Sequence, residues 1–190
     1  VATWGPLVFV NVDGKAPPLA DVLEDLPTRL APFRCESMRY VMRKEWEIAC
    51  NWKIYVDNYL EGYHVPVVHP GLHKELDYDN YVVEPRRYFS LQHAPLRPLA
   101  GEGERKYDPS ATEQPEAVYA WLFPNMMLNV YLGQMQTNVV IPVGHDRCRV
   151  VFEWYAANPP ADAATDPAWT KLLAFSDEIQ DEDVEICEIV

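Results

Sequence analysis

The chain has 190 residues, of which 48% are hydrophobic, 12% aromatic and 24% charged. This composition is typical of a globular domain and excludes global disorder. No apolar run reaches the roughly 18–20 residues that a membrane helix needs. Asp and Glu outnumber Lys and Arg by 29 to 16, and the resulting net charge of −13 argues against a nucleic-acid binder, which usually presents a basic face.

The cysteines are far apart in the sequence: Cys35, Cys50, Cys148 and Cys187 form no CxxC or CxH pair. The sequence therefore predicts neither a zinc ribbon nor a cysteine-ligated cluster. Sparse cysteines in a chain without a signal peptide favour reduced, buried thiols and a cytoplasmic location. The chain begins with Val1 rather than Met, and we expect it to be a fragment of a longer protein.

Short strand-like and helical patterns alternate before residue 64. They predict a strand at 7–12, a helix over 19–30 broken at Pro27, one or two strands within 37–49 and an amphipathic helix over 52–63. The aromatic residues Trp52, Tyr55 and Tyr59 recur three and four positions apart, which is the spacing of one helical face.

The remainder of the chain is rich in β-type segments and ends in a helical pattern. Strands are predicted at 81–84, 88–91, 118–123, 127–132, 137–142 and 148–155, loops at 71–80, 95–114 and 158–166, a hairpin turn at 144–146 and a final helix over 168–190. This order predicts a single α+β domain over 1–190. We expect a helix-grip (START-like) fold, in which a curved antiparallel β-sheet wraps around a long C-terminal helix.

The stretch 51–69 carries the most chemical information. Asp57, Glu61 and His64 stand at i, i+4 and i+7 and so share one helical face, and His69 follows with a proline between the two histidines. A helix end bent at that proline can bring both imidazoles to one point. Two histidines and a carboxylate from elsewhere form the facial arrangement of non-haem Fe(II), which leaves open positions for O₂. The spacing alone also allows structural histidines that bind no metal.

Three segments carry a family resemblance. Asn-Trp-Lys at 51–53, Asp-Asn-Tyr-Leu-Glu-Gly-Tyr-His at 57–64 and the second histidine at 69 resemble the catalytic-domain motif of Rieske-type ring-hydroxylating oxygenase alpha subunits, in their choline-monooxygenase-like branch. The opening, 4–11, resembles the segment that joins the Rieske domain to the catalytic domain. The end, 176–183, resembles the helix that supplies the third iron ligand. The resemblance covers nearly the whole chain.

The resemblance implies a mononuclear Fe(II) site held by His64, His69 and Asp183. Asp181 and Glu182 are the alternatives for the carboxylate ligand. Each histidine also needs an acceptor for its second ring nitrogen. We expect Asp57 or a backbone carbonyl near Pro66 to serve as that acceptor.

The resemblance also implies roles for residues around the iron. Glu61 matches the acidic residue that bridges to the Rieske-cluster histidine of a neighbouring subunit, and Asn58 matches an asparagine near the iron. The residues predicted to form the substrate pocket are Tyr59, Val65, Leu72, Asn129 and Tyr131. An aromatic pocket in an acidic chain suits a small cation, although the same rings can stack on a flat aromatic substrate.

The family's cluster motif, CxH followed by CxxH, is absent from this chain. The [2Fe–2S] centre is therefore expected in a Rieske domain upstream of residue 1, and the chain alone is expected to be inactive. The resemblance implies O₂ and a small molecule as substrates, a reductase or ferredoxin as electron donor, and a homotrimer for the full-length protein. The reaction implied is hydroxylation of an aromatic ring or oxidation of an N-methyl compound, with no nucleic-acid or membrane partner.

Two other functions fit the same residues. The first is a metal-free helix-grip module that binds a small molecule in an apolar cavity, with the two histidines near each other by accident. The second is a zinc hydrolase that uses His64, His69 and Asp183 and needs no electron donor. Iron content separates the first from an oxygenase, and dependence on O₂ separates the second.

Overall fold

A computed structural model describes residues 1–97 and 116–190, so most of the loop predicted over 95–114 lies outside the described residues. In chain order the elements are β1 (Ala2–Trp4), β2 (Leu7–Phe9), α1 (Leu19–Leu23), α2 (Leu26–Leu30), β3 (Arg39–Ile48), α3 (Trp52–Glu61), α4 (Val65–Val68), α5 (Pro70–Glu75), β4 (Val82–Pro85), β5 (Phe89–Pro95), β6 (Glu116–Leu122), β7 (Met126–Tyr131), β8 (Gln134–Pro142), β9 (Cys148–Ala156) and α6 (Pro167–Ile189). None of the helices in these two ranges combines the length and hydropathy that crossing a bilayer would require.

The larger sheet has seven strands in the order β3-β9-β8-β7-β6-β5-β4 among the described residues. Every neighbouring pair is antiparallel, and β4 to β9 follow one another as a meander. The first strand, β3, pairs with the last, β9, and so lies at the far edge. The short strands β1 and β2 form a separate hairpin. The predicted α+β class, with a large antiparallel sheet and a long C-terminal helix, is confirmed.

The helix α6 packs against this sheet. Its first turn is capped by Asp166, whose carboxylate accepts hydrogen bonds from the backbone N–H groups of Ala168 and Trp169. Its buried residues are Trp169, Leu172, Leu173, Phe175, Ser176, Gln180 and Cys187. Several of them share a core with strand residues such as Val140 and Val150, and each large apolar side chain buried this way contributes about 1.5–3 kcal/mol.

Several predicted boundaries differ from the structure. The break predicted at Pro27 lies instead between Leu23 and Leu26, because Pro27 occupies the first turn of α2. The helix predicted over 52–63 ends at Glu61, because Gly62 adopts a left-handed conformation (φ 60°) that stops it. The segment predicted as a loop at 71–80 contains most of α5, in which Leu72 is buried, and Leu76, which caps the end of α5 four positions later, is also buried. This i, i+4 pair is a helical signal that the polar composition around it concealed.

All four cysteines are free and buried, as the sequence predicted. Burial raises the pKa of the Cys35 thiol to about 12, with Glu36 adding to the effect. Cys50 and Cys148 lie with their Sγ atoms 3.9 Å apart at one end of the sheet. Thiols with raised pKa values are poor nucleophiles and metal ligands at neutral pH.

Candidate metal centre

The chain turns sharply between α3 and α5, and this turn presents both histidines. Gly62 ends α3, and His64 then forms the N-cap of the short helix α4. His69 ends α4 and begins α5, and its N–H donates to the Val65 carbonyl at 3.0 Å. Pro66 and Pro70 each lie in the first turn of a helix, where the missing N–H of proline has no cost.

Asp183 approaches the two histidines from α6. His69 Nε2 lies 3.1 Å from His64 Nε2 and 3.0 Å from Asp183 Oδ1, and His64 Nε2 lies 3.7 Å from the same oxygen. Their side chains are largely buried, with exposed fractions of 12% for His64, 2% for His69 and 18% for Asp183. In residues 1–97 and 116–190 this is the one group of three or more such ligand atoms that lie within 4.8 Å of one another.

Each histidine has its other ring nitrogen bound to a glutamate. His64 Nδ1 lies 2.6 Å from Glu61 Oε1, and His69 Nδ1 lies 2.7 Å from Glu182 Oε2. A neutral imidazole that donates its Nδ1–H to a carboxylate presents a lone pair at Nε2. In that tautomer the two Nε2 atoms and Asp183 Oδ1 converge as three electron-pair donors.

This donor set fits a divalent metal. Three facing lone pairs repel one another unless a cation lies between them. For metal–ligand bonds of about 2.1 Å, two ligands at a right angle are about 3.0 Å apart, which is close to two of the three observed separations. Two imidazoles and one carboxylate are the ligands of non-haem Fe(II) sites. Iron therefore matches the residues present.

Without a metal, the same carboxylates favour protonation of His69. Burial of the His69 ring lowers its pKa, but the hydrogen bond and negative charge of Asp183, followed by those of Glu182, outweigh burial and leave the pKa of His69 above its usual 6.5. The charge of the surrounding carboxylates thus favours a positive charge at this point.

Asparagine and backbone groups fix the carboxylates in place. Asn58 Nδ2 donates to Asp183 Oδ1 at 2.6 Å, so the amide expected near the metal holds its carboxylate ligand. Glu61 Oε2 accepts the backbone N–H groups of Tyr63 and His64 at 2.6 and 3.2 Å. The side chain of Glu61 is therefore held at both oxygens.

Three sequence-based alternatives near the site are corrected by the structure. Asp57 is exposed and is not the acceptor for either histidine, because Glu61 and Glu182 fill that role. Glu182 contacts Nδ1 of His69 and is not part of the group formed by His64, His69 and Asp183. Asp181 is exposed.

A cavity that is partly open to solvent adjoins the three converging side chains. Four residues predicted for the substrate pocket line it: Tyr59, Val65, Leu72 and Asn129. The fifth, Tyr131, does not. It lines a smaller neighbouring cavity, and its hydroxyl lies 2.9 Å from the hydroxyl of Tyr119, which lines the main cavity in its place.

Several residues of the cavity wall were not predicted from the sequence. Among them are the aromatic side chains of Tyr81, Tyr119 and Phe152 and the amides of Gln136, Asn138 and Gln180. Behind the wall, the fully buried Gln92 donates to the Tyr59 carbonyl at 2.9 Å and accepts a hydrogen bond from the Tyr81 hydroxyl. Burial raises the pKa of Tyr81, so this hydroxyl stays protonated and able to donate.

Comparison with known proteins places the chain in a family. Residues 35–190 match the family described as "Ring hydroxylating alpha subunit (catalytic domain)", and the chain belongs to that family. The chloroplastic choline monooxygenase of Arabidopsis thaliana is 37% identical over 203 residues, which cover 100% of this chain and 46% of that protein. The carnitine monooxygenase oxygenase subunit of Acinetobacter pittii is 32% identical, over 87% of this chain and 40% of that protein.

Solved structures share the fold. The quaternary ammonium Rieske monooxygenase CntA has a TM-score of 0.78 at 24% identity, over 94% of this chain and 47% of that one. Naphthalene 1,2-dioxygenase from Rhodococcus sp. has a TM-score of 0.59 at 17% identity, over 93% and 50%. The chain spans less than half the length of the curated relatives described here. Its large antiparallel sheet and C-terminal helix are thus those of a Rieske oxygenase catalytic domain.

Proposed function

We propose that residues 1–190 form the iron-containing catalytic domain of an oxygenase that uses O₂ to oxidise a small N-methylated cation. The observation that carries this proposal is the convergence of His64 Nε2, His69 Nε2 and Asp183 Oδ1 within 3.7 Å in the cavity wall. Members of the family use a mononuclear iron in this domain. Bound Fe(II) would supply O₂ activation at positions that the three protein ligands leave open.

The residues around the ligands set the direction of the ligands. Glu61 and Glu182 lie at the Nδ1 atoms of His64 and His69, which orients both rings with Nε2 directed at Asp183 and, with a metal bound at Nε2, would accept the Nδ1–H protons. Asn58 donates to Asp183 Oδ1 and so limits rotation of that carboxylate. Because His64, His69 and Asp183 all line the cavity, they would hold the iron where O₂ and substrate can approach it from the cavity.

Glu61 has a second role in this proposal, as the bridge for electrons from the [2Fe–2S] cluster of a neighbouring subunit. Its side chain is 22% exposed while bound to His64, so it connects the buried ligand to the surface. Tyr63 and Val67 beside it are 73% and 84% exposed, which fits a surface that another subunit covers. Inter-subunit electron transfer has been described for the quaternary ammonium Rieske monooxygenase CntA. We propose the same route here, with a homotrimer and a reductase or ferredoxin as donor.

The cavity wall supports a cationic substrate. The rings of Tyr55, Tyr59, Tyr81, Tyr119 and Phe152 line it, and an aromatic face attracts a quaternary ammonium by about 0.5–2 kcal/mol. No Lys or Arg is among the described residues that line the cavity. The names of the relatives give choline and carnitine as substrates of those proteins, and both are quaternary ammonium compounds. An aromatic hydrocarbon remains the second candidate, because the same rings stack on flat molecules.

The proposal also includes the detailed fold and the cellular location. We assign the sheet and α6 to the helix-grip arrangement, with the cavity between them as the substrate site. A cytoplasmic location remains a prediction, since the plant relatives are chloroplastic.

Anaerobic titration with Fe(II) followed by calorimetry tests the proposed function. We expect one iron per chain and then binding of choline-like cations, weakened about 2- to 30-fold in Tyr59→Leu because a ring of the wall is lost. Absence of iron binding would favour the metal-free binding module. Preference for neutral or anionic aromatic compounds would reject the cationic substrate, and activity that continues without O₂ would favour the zinc hydrolase.

A further inference from the structure

Gln180 has a hydrogen-bond donor with no partner. It lies on α6 in the cavity wall and is 1% exposed, and its Nε2 has no partner among the described residues. Folded proteins leave few buried amide donors unpaired, because each loses its hydrogen bonds to water without replacement. An unpaired donor in a cavity wall therefore indicates a partner that occupies the cavity.

The orientation of this amide is fixed. The Tyr55 hydroxyl donates to Gln180 Oε1, and both side chains are buried. Burial raises the pKa of Tyr55 well above its usual value, so the hydroxyl keeps the proton that it donates. With Oε1 held by Tyr55, Nε2 is the end of this amide that remains without a partner in the cavity wall.

Gln180 lies close to the proposed iron site. Ser176, Gln180 and Asp183 stand at i, i+4 and i+7 on α6, share one helical face and all line the cavity. Gln180 precedes Asp183 by three residues, which is a rise of about 4.5 Å along the helix. A substituent two or three bonds long can span that distance from a group held near the iron.

The other deep polar groups already have partners. Ser176 Oγ donates to Gln136 Oε1 at 3.2 Å, and Gln136 Nε2 donates to Asn138 Oδ1 at 2.7 Å. Asp183 is acidic, and no Lys or Arg lines the described cavity, so a substrate carboxylate would find no cation in the protein wall. A neutral oxygen matches the amide donor without that cost.

We propose that Gln180 Nε2 donates a hydrogen bond to a neutral hydroxyl or ether oxygen of the substrate. Gln180 thereby selects ammonium compounds that carry such an oxygen two carbons from the nitrogen. This inference rests on the proposed function, which places the cation in this cavity, and adds a residue that determines specificity within it.

The test compares four ligands by calorimetry on the iron-loaded chain. Choline carries a hydroxyl, its methyl ether carries an oxygen that can only accept, propyltrimethylammonium has no oxygen, and glycine betaine carries a carboxylate. The wild-type chain should bind choline and its ether about tenfold more tightly than propyltrimethylammonium, as expected for one hydrogen bond to a buried donor. It should bind glycine betaine more weakly than choline.

Two substitutions isolate the donor. Gln180→Met keeps the length of the side chain but has no donor, and should reduce the choline preference to about one while propyltrimethylammonium still binds. Gln180→Glu keeps the acceptor for Tyr55 and should lose the preference for the ether. Glu185→Leu, on the exposed face of α6, is the matched control and should keep the wild-type ratios. Circular dichroism checks that each variant is folded.

The outcomes separate this inference from the proposed function. Equal binding of choline and propyltrimethylammonium by the wild-type chain, or an unchanged ratio in Gln180→Met, would overturn the role of Gln180 and leave the cationic substrate intact. Tighter binding of glycine betaine than of choline would overturn the choice of a neutral oxygen. If none of the four ligands binds, both the proposed substrate and this inference are wrong.

Discussion

Two histidine–carboxylate clusters in this molecule have similar composition and different geometry. At the candidate metal centre, His64 and His69 each bind a glutamate through Nδ1 and leave Nε2 facing Asp183. On β5, His93 contacts two glutamates, with Nε2 3.2 Å from Glu84 and Nδ1 2.8 Å from Glu116. Both clusters bring acidic oxygens within hydrogen-bond distance of imidazole.

The difference lies in which nitrogens remain available. Both nitrogens of His93 point at carboxylates, and Glu84 also accepts hydrogen bonds from Arg29 and Arg86, so that cluster is already balanced by arginines. The Nε2 atoms of the other pair converge instead. The number of acids around a histidine is therefore a poor indicator of a metal site. Convergence of several ligand atoms, as at His64, His69 and Asp183, is the better indicator.

The largest expected effect is loss of metal binding at the converging pair. His64→Ala removes one of three ligands and should reduce Fe(II) affinity by at least 1,000-fold, since the two remaining ligands cannot enclose the ion. Metal content after anaerobic loading and dialysis measures it. His93→Ala and His145→Ala, the latter with a side chain that is 93% exposed, should load like the wild type. Full iron occupancy in His64→Ala would show that the assignment is wrong.

The second effect concerns the glutamate that supports His64. In a protein that includes its Rieske domain, Glu61→Gln should retain iron, because an amide oxygen still accepts the Nδ1–H. Product formation should fall about 100-fold or more as the charged bridge is lost, while the cluster is still reduced at the normal rate. Parallel assays of cluster absorbance and product would reveal this split. Wild-type turnover would remove Glu61 from the electron route.

The 190-residue chain without a Rieske domain provides the matching control for that experiment. Supplied with a reductase and NADH, it should form no product, although it binds iron. Sustained turnover by this chain alone would contradict an external [2Fe–2S] donor.

A smaller effect is expected at the glutamate behind His69. Glu182→Gln replaces a charged acceptor with a neutral one and should weaken Fe(II) binding about 10–100-fold, which is the usual range for partners of metal-bound histidines. Competition with a chelator of known affinity gives the value. Glu116→Gln makes the same change beside His93 and should leave Fe(II) affinity unaltered. An equal loss in both variants would indicate a general effect of charge.

The smallest effect is a pH dependence at the surface cluster. Hydrogen bonds from Arg29, followed by Arg86, lower the pKa of Glu84 to about 2. A lowered folded-state pKa gives stability that is complete above the unfolded value near 4.5 and is lost as the pH falls toward 2. Glu84→Gln should therefore cost about 0.5–1 kcal/mol at pH 7 and progressively less below about pH 4.5.

Urea unfolding at several pH values measures this difference. The exposed Glu185→Gln controls for the loss of one negative charge. A Glu84→Gln difference that does not change with pH would show that the contact contributes through packing alone.

Local pattern predicted the elements and most of the site. Alternating apolar residues marked the strands, and the family motif identified His64, His69 and Asp183 as a set that the structure brings together. Pattern could not separate Asp183 from Glu182, since neighbours on a helix diverge by about 100° and only packing decides which one faces inward. Both proved to contact His69, on different nitrogens.

Other features carried no local signal. Gln92 and Gln180 are isolated polar residues whose burial depends on partners distant in sequence, as in the Gln180 contact with Tyr55, 125 positions away. Tyr131 lies on the same strand face as Asn129, but Tyr119 on the adjacent strand takes its place in the cavity wall. Which of two neighbouring strand residues reaches the cavity depends on the curvature of the sheet. The alternation of apolar and polar residues along a strand does not encode that curvature.

The distance in sequence between the converging side chains has a consequence for assembly of the domain. His69 and Asp183 are 114 positions apart, and the meander of the sheet lies between them. Closing so long a loop is entropically unfavourable until the intervening strands have paired. An ion that needs both side chains can therefore be captured tightly only late in folding. A bound ion would then link α6 to the segment that carries His69, so metal occupancy would report that the domain has finished folding.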